Sequence, residues 1–76
     1  MEKKSFVYKI KVDGMRCGMC EAHINNVIRN NFNVKKVKSS ARKKLTIIKS
    51  IEEIDLEKLK HVISELGYTV GDIEIE

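Results

Sequence analysis

The order in which hydrophobic periodicities follow one another along the chain constrains its fold most. Residues 5–12 alternate between apolar and polar types, which predicts a strand with one buried side. After a break at residues 13–14, apolar residues recur at helical spacing and predict a helix. Asn33 is expected to end this helix in a left-handed conformation, which asparagine tolerates. The predicted buried sets are Phe6, Tyr8, Ile10 and Val12 in the strand, and Cys20, Ile24, Val27, Ile28 and Phe32 in the helix.

The second half of the chain adds two short strands, another helix and a final strand. The short strands are expected near residues 34–39 and 45–49, joined by a basic turn at 41–44. Asp55 and Gly67 are expected to cap the ends of the second helix, whose predicted buried stripe is Leu56, Leu59, Ile63 and Leu66. The last strand covers residues 68–75. The order β-α-β-β-α-β predicts an α+β, ferredoxin-like fold, a four-stranded antiparallel sheet with both helices on one face.

The length and charge of the chain limit what it can be. A chain of 76 residues has room for one domain, which we expect to occupy 1–76 with a core in 6–75. The net charge of +4 is unevenly distributed. Residues 1–50 contain thirteen of the fifteen basic residues and three of the eleven acids, a net charge of +10, whereas residues 51–76 carry −6. Such a separation of charge steers charged partners.

Neither a membrane segment nor an export signal is visible in the sequence. No apolar stretch approaches the roughly 20 residues that span a bilayer, and the start of the chain lacks a signal-peptide pattern. We therefore expect a cytoplasmic protein without membrane insertion. Two cysteines are too few for a disulfide framework, so Cys17 and Cys20 are candidates for metal or redox chemistry.

The segment with both cysteines joins the first strand to the first helix. In the predicted topology it shares one end of the sheet with the basic turn and the loop at residues 67–68. Two thiols three residues apart at a helix start can turn their sulfurs towards one point. The helix N-terminus and Arg16 favour their thiolate forms. Two thiolates with no further obligatory ligand suit a soft ion of low coordination number, Cu(I) above all.

The motif Gly14-Met15-x-Cys17-x-x-Cys20 on this order of elements resembles the heavy-metal-associated domain. That family includes small cytosolic copper chaperones and N-terminal modules of copper-exporting ATPases. The resemblance covers residues 6–75 and implies that Cys17 and Cys20 are the metal-binding thiolates. It also implies that Met15 is a buried methionine bracing the loop and that Tyr68 lies close to the metal. The Gly18-Met19 pair, the Asn-rich first helix and the strongly basic 39–44 segment depart from the usual pattern.

Three further side chains are candidate accessory ligands: His23, Met19 and Tyr68. His23 follows Cys20 by three residues, and helical side chains lean towards the N-terminus, so it can reach towards the metal. An exposed helical histidine is nevertheless the commoner case. Met19 is expected to pack or to contact the loop rather than to bind metal. His61 falls on the polar side of the second helix and receives no role.

The sequence therefore predicts a protein that binds a soft metal ion, Cu(I) first, and transfers it to a partner's cysteine pair by thiolate exchange. It is not expected to be an enzyme. The expected partner is a metal-transporting P-type ATPase or another C-x-x-C metal-binding domain. Basic residues at the metal end would orient an acidic partner surface: Arg16, Arg42, Lys43 and Lys44. We expect a monomer, with a metal-bridged dimer as the alternative, and both a free chaperone and a module of a longer transporter stay open.

Several other functions compete with this one. A carrier or sensor for zinc or a similar divalent ion would need ligands beyond two cysteines, and structural zinc and iron–sulfur sites need four. A thiol-disulfide enzyme of the thioredoxin class usually carries tryptophan and proline at its active site, and this chain has neither. An RNA-recognition domain shares the order of elements but stacks bases on aromatic residues of its open sheet face. Phe6 and Tyr8 are expected to point into the core, so no nucleic-acid partner is expected.

Overall fold

The computed structural model describes residues 5–16 and 18–76, which form four strands and two helices in the predicted order. The start of the chain, read above for an export signal, and Cys17 lie outside the described residues. The elements are β1 (Phe6–Asp13), α1 (Gly18–Asn31), β2 (Lys36–Ser40), β3 (Leu45–Ser50), α2 (Leu56–Ser64) and β4 (Thr69–Ile75).

The strands pair in the spatial order β2-β3-β1-β4, and each neighbouring pair is antiparallel. Tyr8 lies opposite Ile48 of β3 and opposite Ile75 of β4, which places β1 at the centre of the sheet. The register between β1 and β4 shifts between Ile10 and Val12. Both helices cover the same face of the sheet, so the predicted ferredoxin-like fold is confirmed.

The core forms where the alternating face of the sheet meets the helical stripes. Tyr8, Ile10 and Val12 are buried under Ile24 and Ile28 of α1. The rest of the buried apolar cluster consists of Met15, Val37, Ile48, Ile54, Leu59 and Ile63. The hydroxyl of Tyr8 accepts a hydrogen bond of 3.0 Å from the Ile54 backbone N–H, which gives this buried oxygen a partner. Both helical periodicities therefore predicted the faces that the fold buries.

The predicted N-cap of α2 is confirmed, whereas the residue that caps its C-terminal end is Glu65 and not the predicted Gly67. The carboxylate of Asp55 accepts hydrogen bonds from the backbone N–H groups of Glu57 and Lys58, at 3.1 and 3.3 Å. After the helix, Gly67 has φ +96°, a conformation that L side chains rarely adopt, and its N–H donates to the Ser64 carbonyl at 2.9 Å.

Two further predictions at the helix ends are wrong. Leu66 is 40% exposed rather than buried, because α2 ends at Ser64 and the chain leaves the helical path before Leu66 can join the stripe. Asn33 is not left-handed, since Lys44 is the one described non-glycine residue with positive φ. Instead, the Val34 N–H donates to the Phe32 carbonyl at 3.1 Å, so a tight three-residue turn around Asn33 leads towards β2.

None of the described helices is long and apolar enough to cross a bilayer.

Candidate metal site

The loop between β1 and α1 is anchored on both of its sides. Met15 is buried in the core cluster, as expected, while Arg16 next to it is exposed. Cys20 lies in the first turn of α1, half-buried, and packs against the core. The thiol of Cys20 is therefore held at the end of the sheet by a helix whose next turn is fixed by the buried Ile24. Cys17, the other predicted ligand, lies outside the described residues.

Tyr68 reaches the loop from the connection between α2 and β4. Its ring lies against Gly14, where a Cβ atom would come within 3.2 Å of the Tyr68 Cδ1 atom. Gly14 also has φ +106°, so two independent constraints favour glycine here. The half-buried Tyr68 packs against the core from the same side. The predicted proximity of the 67–68 connection to the cysteine loop is confirmed.

The basic turn between β2 and β3 closes the same end of the sheet. The carbonyl of Lys44 accepts a hydrogen bond of 3.0 Å from the Val12 N–H. The Lys44 ammonium lies 3.5 Å from the carboxylate of Asp13, the last residue of β1. Lys44 has φ +54°, the left-handed conformation that closes the turn. Arg42 and Lys43 are exposed beside it, so three basic side chains lie at the end of the sheet to which α1 attaches through the cysteine segment.

A polar bridge that the sequence analysis missed ties α1 to the strands behind the basic turn. The carboxylate of Glu21 accepts a hydrogen bond of 2.7 Å from the Ala41 N–H. One turn further along α1, Asn25 accepts from the Ser39 hydroxyl at 2.7 Å, and that hydroxyl lies 3.0 Å from the Thr46 hydroxyl. The sequence held a signal for the Ser39 and Thr46 part of this bridge only, because these two polar residues stand at positions of β2 and β3 that face the core.

The accessory candidates are not placed alike. His23 is exposed on α1, and Tyr68 is half-buried over Gly14. Met19 is 71% exposed, so it does not pack in the core, and its contact with the loop stays a prediction. The reason is helical geometry, since Cys20 and Ile24 occupy the core-facing side and direct the neighbouring Met19 away from it. His61, as expected, is exposed on α2, where its Nε2 atom lies 2.8 Å from the Glu65 carboxylate.

Across 5–16 and 18–76, no three histidine, cysteine or acidic side chains gather closely enough to hold a metal ion together. The described part of this end therefore offers one thiol, the aromatic side chain of Tyr68 and exposed basic side chains.

Replacing Gly14 with alanine is expected to lower the free energy of unfolding by about 2–3 kcal/mol. A Cβ atom would be strained at this φ and would push on the Tyr68 ring, and a strained backbone alone costs about 1–3 kcal/mol. Urea unfolding measures the change. Gly67→Ala is the matched control, because it has a similar φ but open space around the added atom, and it should cost less. Equal losses in the two variants would contradict the packing of Tyr68 on Gly14.

Comparison with known proteins identifies the fold and the family. The sequence matches the profile of the heavy-metal-associated domain over residues 9–69. Mercuric reductase from Lysinibacillus sphaericus is 28% identical over 67 residues, which are 88% of this chain but 12% of the reductase. This chain thus spans about an eighth of that relative's length, and the match concerns one domain of it.

Solved structures resemble most of the chain, and the following two are examples. The N-terminal domain of ZntA in its Zn(II) form has a TM-score of 0.79 at 22% identity and covers 88% of this chain and 90% of its own. The N-terminal domain of a potential copper-translocating P-type ATPase from Bacillus subtilis, in its Cu(I)-loaded state, has a TM-score of 0.77 at 18% identity, covering 88% and 85%. At these identities the likeness shows the fold.

Proposed function

This chain belongs to the heavy-metal-associated domain family, and on that premise we propose that it carries Cu(I) between Cys17 and Cys20 and transfers the ion to the cysteine pair of another protein. The observation that carries the proposal is the position of Cys20. Its side chain lies in the first turn of α1 at an end of the sheet that Met15 and Tyr68 fill with apolar surface. An ion bound there is shielded on the protein side and approachable from the basic turn.

The choice of Cu(I) rests on ligand number and softness. Thiolates are soft ligands, and two of them complete a linear site for Cu(I), whereas zinc prefers four tetrahedral ligands. The described residues add no cluster of three potential ligands that would complete a tetrahedron with Cys17. A structural relative is Cu(I)-loaded, which supports the assignment.

Transfer would proceed by ligand exchange. A thiolate of the partner would join the two-coordinate ion, giving a three-coordinate intermediate from which one sulfur of this chain leaves. A second exchange of the same kind, with the partner's other thiolate, would release the remaining sulfur of this chain. The metal is cargo, no covalent bond of a substrate is broken, and so we propose a carrier and not an enzyme. The exposed Arg16 beside the cysteine pair favours approach of a negatively charged partner surface.

We propose that the partner is a metal-transporting P-type ATPase or another domain with a C-x-x-C pair, met in the cytoplasm by a monomeric carrier. Arg42, Lys43 and Lys44 support this role, because the basic turn lies at the cysteine end and its hydrogen bond to β1 fixes it there. In the complex, these side chains would face acidic groups while the two cysteine pairs approach each other.

A carrier of zinc or a similar divalent ion is the second candidate. It is favoured by the Zn(II) form of a structural relative and by the exposed His23, which lies three residues beyond Cys20 on α1. In this alternative, His23 or a group from a second molecule completes the coordination of the ion.

The proposed docking role of the basic turn predicts a salt-dependent transfer rate. Arg42→Ser combined with Lys43→Ser should slow Cu(I) transfer to an acidic C-x-x-C acceptor domain several-fold at low ionic strength and leave Cu(I) affinity unchanged. Lys44 is kept, since its left-handed backbone and its carbonyl shape the turn. Stopped-flow measurement across a salt series checks this.

The matched control removes the same charge from the helical face, with Arg29→Ser and Lys60→Ser, both at exposed positions. Transfer by this control should follow the wild type. Should the turn variant and the wild type transfer equally fast at every salt concentration, the basic turn has no part in docking.

A further inference from the structure

The sheet face opposite the helices carries a group of lysines with no structural role in the fold. Lys36 of β2 lies directly opposite Lys49 of β3, and Lys38 lies opposite Ile47 in the same pair of strands. All three lysines are exposed, and none forms an ion pair with a carboxylate among residues 5–16 and 18–76. Like charges directly opposite each other on a sheet are destabilising. The arrangement therefore opposes folding rather than assisting it.

The excess of positive over negative charge lies on one side of this face. On the other side, Lys9 of β1 pairs with Glu76 at 2.9 Å, and Glu74 of β4 lies opposite Lys9 in the ladder. Pairing with Glu76 raises the pKa of Lys9 by stabilising its charged form. The β4 side is thus neutralised internally, whereas the β2 and β3 side keeps its excess of positive charge.

An apolar depression lies among the lysines of β2 and β3. We call it the lysine groove, and its lining is Val7, Lys36, Lys38, Ile47 and Lys49. Its volume is about 250 Å³, enough to admit an aliphatic side chain. Ile47, at its floor, is 37% exposed, although its neighbour Ile48 is fully buried on the other face. The groove thus combines an apolar floor with a charged rim.

The lysine groove is continuous with the end of the sheet that carries the basic turn. A second depression, lined by Lys38, Ser40, Lys43, Leu45 and Ile47, extends from the groove to Lys43 of that turn. A partner docked at the turn could therefore lay an extended segment along β2 and β3 without leaving the basic surface.

We propose that the lysine groove binds an acidic segment of a partner polypeptide, which places one aliphatic side chain over Val7 and Ile47 and its carboxylates against Lys36, Lys38 and Lys49. The positive charge of the three lysines indicates that the bound segment is acidic. The concave apolar floor indicates that the segment inserts an apolar side chain as its anchor. The inference does not depend on the proposed metal transport, because these side chains lie at exposed positions of β2 and β3 and not in the segment between β1 and α1.

Two other anionic partners fit this surface less well. Single-stranded RNA binds open sheets by stacking on aromatic side chains, and the four aromatic residues of this chain all pack with the core instead. An anionic membrane presents a broad surface that would cover the lysines but has no side chain to fill a recessed apolar floor. An acidic peptide supplies both carboxylates for the lysines and an aliphatic side chain for the apolar floor.

The test is a titration of the ¹⁵N-labelled, metal-free full chain with a blocked peptide of glutamates around one central leucine, followed by amide chemical shifts at low ionic strength. We expect the largest shifts at the groove residues of β2 and β3. Lys36→Gln combined with Lys49→Gln should weaken binding of the peptide about fivefold, because the variant loses two exposed ion pairs and each contributes little. The matched control, Arg29→Gln with Lys60→Gln, removes the same charge from the helical face and should weaken it less than about twofold.

Specificity for the anchor is tested with the same peptide carrying serine in place of leucine, which should bind several-fold more weakly. Equal binding of the two peptides, equal weakening by the two double variants, or shifts spread evenly over the surface would each overturn the proposal. So would tighter binding of a single-stranded RNA or of phosphatidylserine vesicles at the same residues. The Cu(I) affinity of the groove variant should equal that of the wild type. A negative result for peptide binding would therefore leave the proposed metal binding untouched, and a negative result for metal binding would leave the lysine groove untouched.

Discussion

Replacing Cys17 or Cys20 with serine is expected to reduce Cu(I) affinity by more than about 100-fold. Loss of an outer-shell partner of a metal ligand already costs 10–100-fold in many sites, and loss of a ligand itself costs more. Serine nearly matches cysteine in size, but its hydroxyl is a hard, protonated group that binds Cu(I) poorly. Competition with a Cu(I) chelator of known affinity, under reducing and oxygen-free conditions, measures the loss.

The control for this experiment is His23→Ala, at an exposed position one turn beyond Cys20. It should change Cu(I) affinity little, because two thiolates complete the site without it. Each variant should keep the far-ultraviolet spectrum of the wild type, which separates loss of a ligand from loss of the fold. Undiminished Cu(I) binding by both single cysteine variants would remove these residues from the site.

Replacing Ile48 with alanine should lower the free energy of unfolding by about 3–4 kcal/mol, within the range for deleting a buried isoleucine side chain. Ile48 is fully buried at the centre of the sheet, between Tyr8 of β1 and Val37 of β2 in the strand ladder. A domain of this size is stabilised by roughly 4–11 kcal/mol, so the variant would lose a large part of its stability. Urea unfolding provides the measurement.

The adjacent Ile47 offers a matched control on the same strand. Ile47→Ala makes the same chemical change and the same change in strand propensity, but this side chain lies on the open face and is 37% exposed. It should cost less than about 1 kcal/mol. If the two variants were equally destabilised, the assignment of the two sheet faces, and with it the lysine groove, would be wrong.

The fold could be predicted because its elements carry strong local signals. Alternating apolar residues require one buried face of a strand, and Tyr8 and Ile10 are buried as expected. Apolar residues at helical spacing require one buried face of a helix, and Ile24 and Ile28 are buried in the same core. Predictions that relied on a single residue at an element end were weaker. Leu66 fits the spacing of its helix, yet α2 stops at Ser64, because the backbone path after a helix depends on the packing of the next element.

The candidate site was predicted in part. Topology alone placed the Tyr68 loop and the basic turn beside the cysteine loop, and the contacts of Gly14 and Lys44 confirm that placement. The bridge from Glu21 to the Ala41 N–H could not be anticipated in the same way. It joins residues twenty positions apart through a side chain and a backbone group, and only the three-dimensional register of α1 against β2 brings them together.

The exposure of Met19 has the same origin. The flexible, apolar side chain of methionine favoured packing or loop contact over metal binding at this position, but the sequence did not indicate which way it points. The direction of Met19 depends on which neighbouring side chains face the core. In this fold Cys20 and Ile24 face the core, and Met19 is exposed. The lysine groove was likewise hidden in the sequence, since it requires the register that sets Lys36 opposite Lys49.

The most direct test of the central proposal is a competition between Cu(I) and Zn(II) for the 76-residue chain, each ion buffered by a chelator of known affinity in the absence of oxygen. The proposal predicts one Cu(I) per chain, far weaker binding of Zn(II), and Cu(I) binding that survives His23→Ala. Zinc affinity should fall in that variant if His23 serves as a zinc ligand. Preferential binding of Zn(II) by the wild type, with His23 required, would contradict the copper assignment and establish a divalent-metal carrier on the same fold.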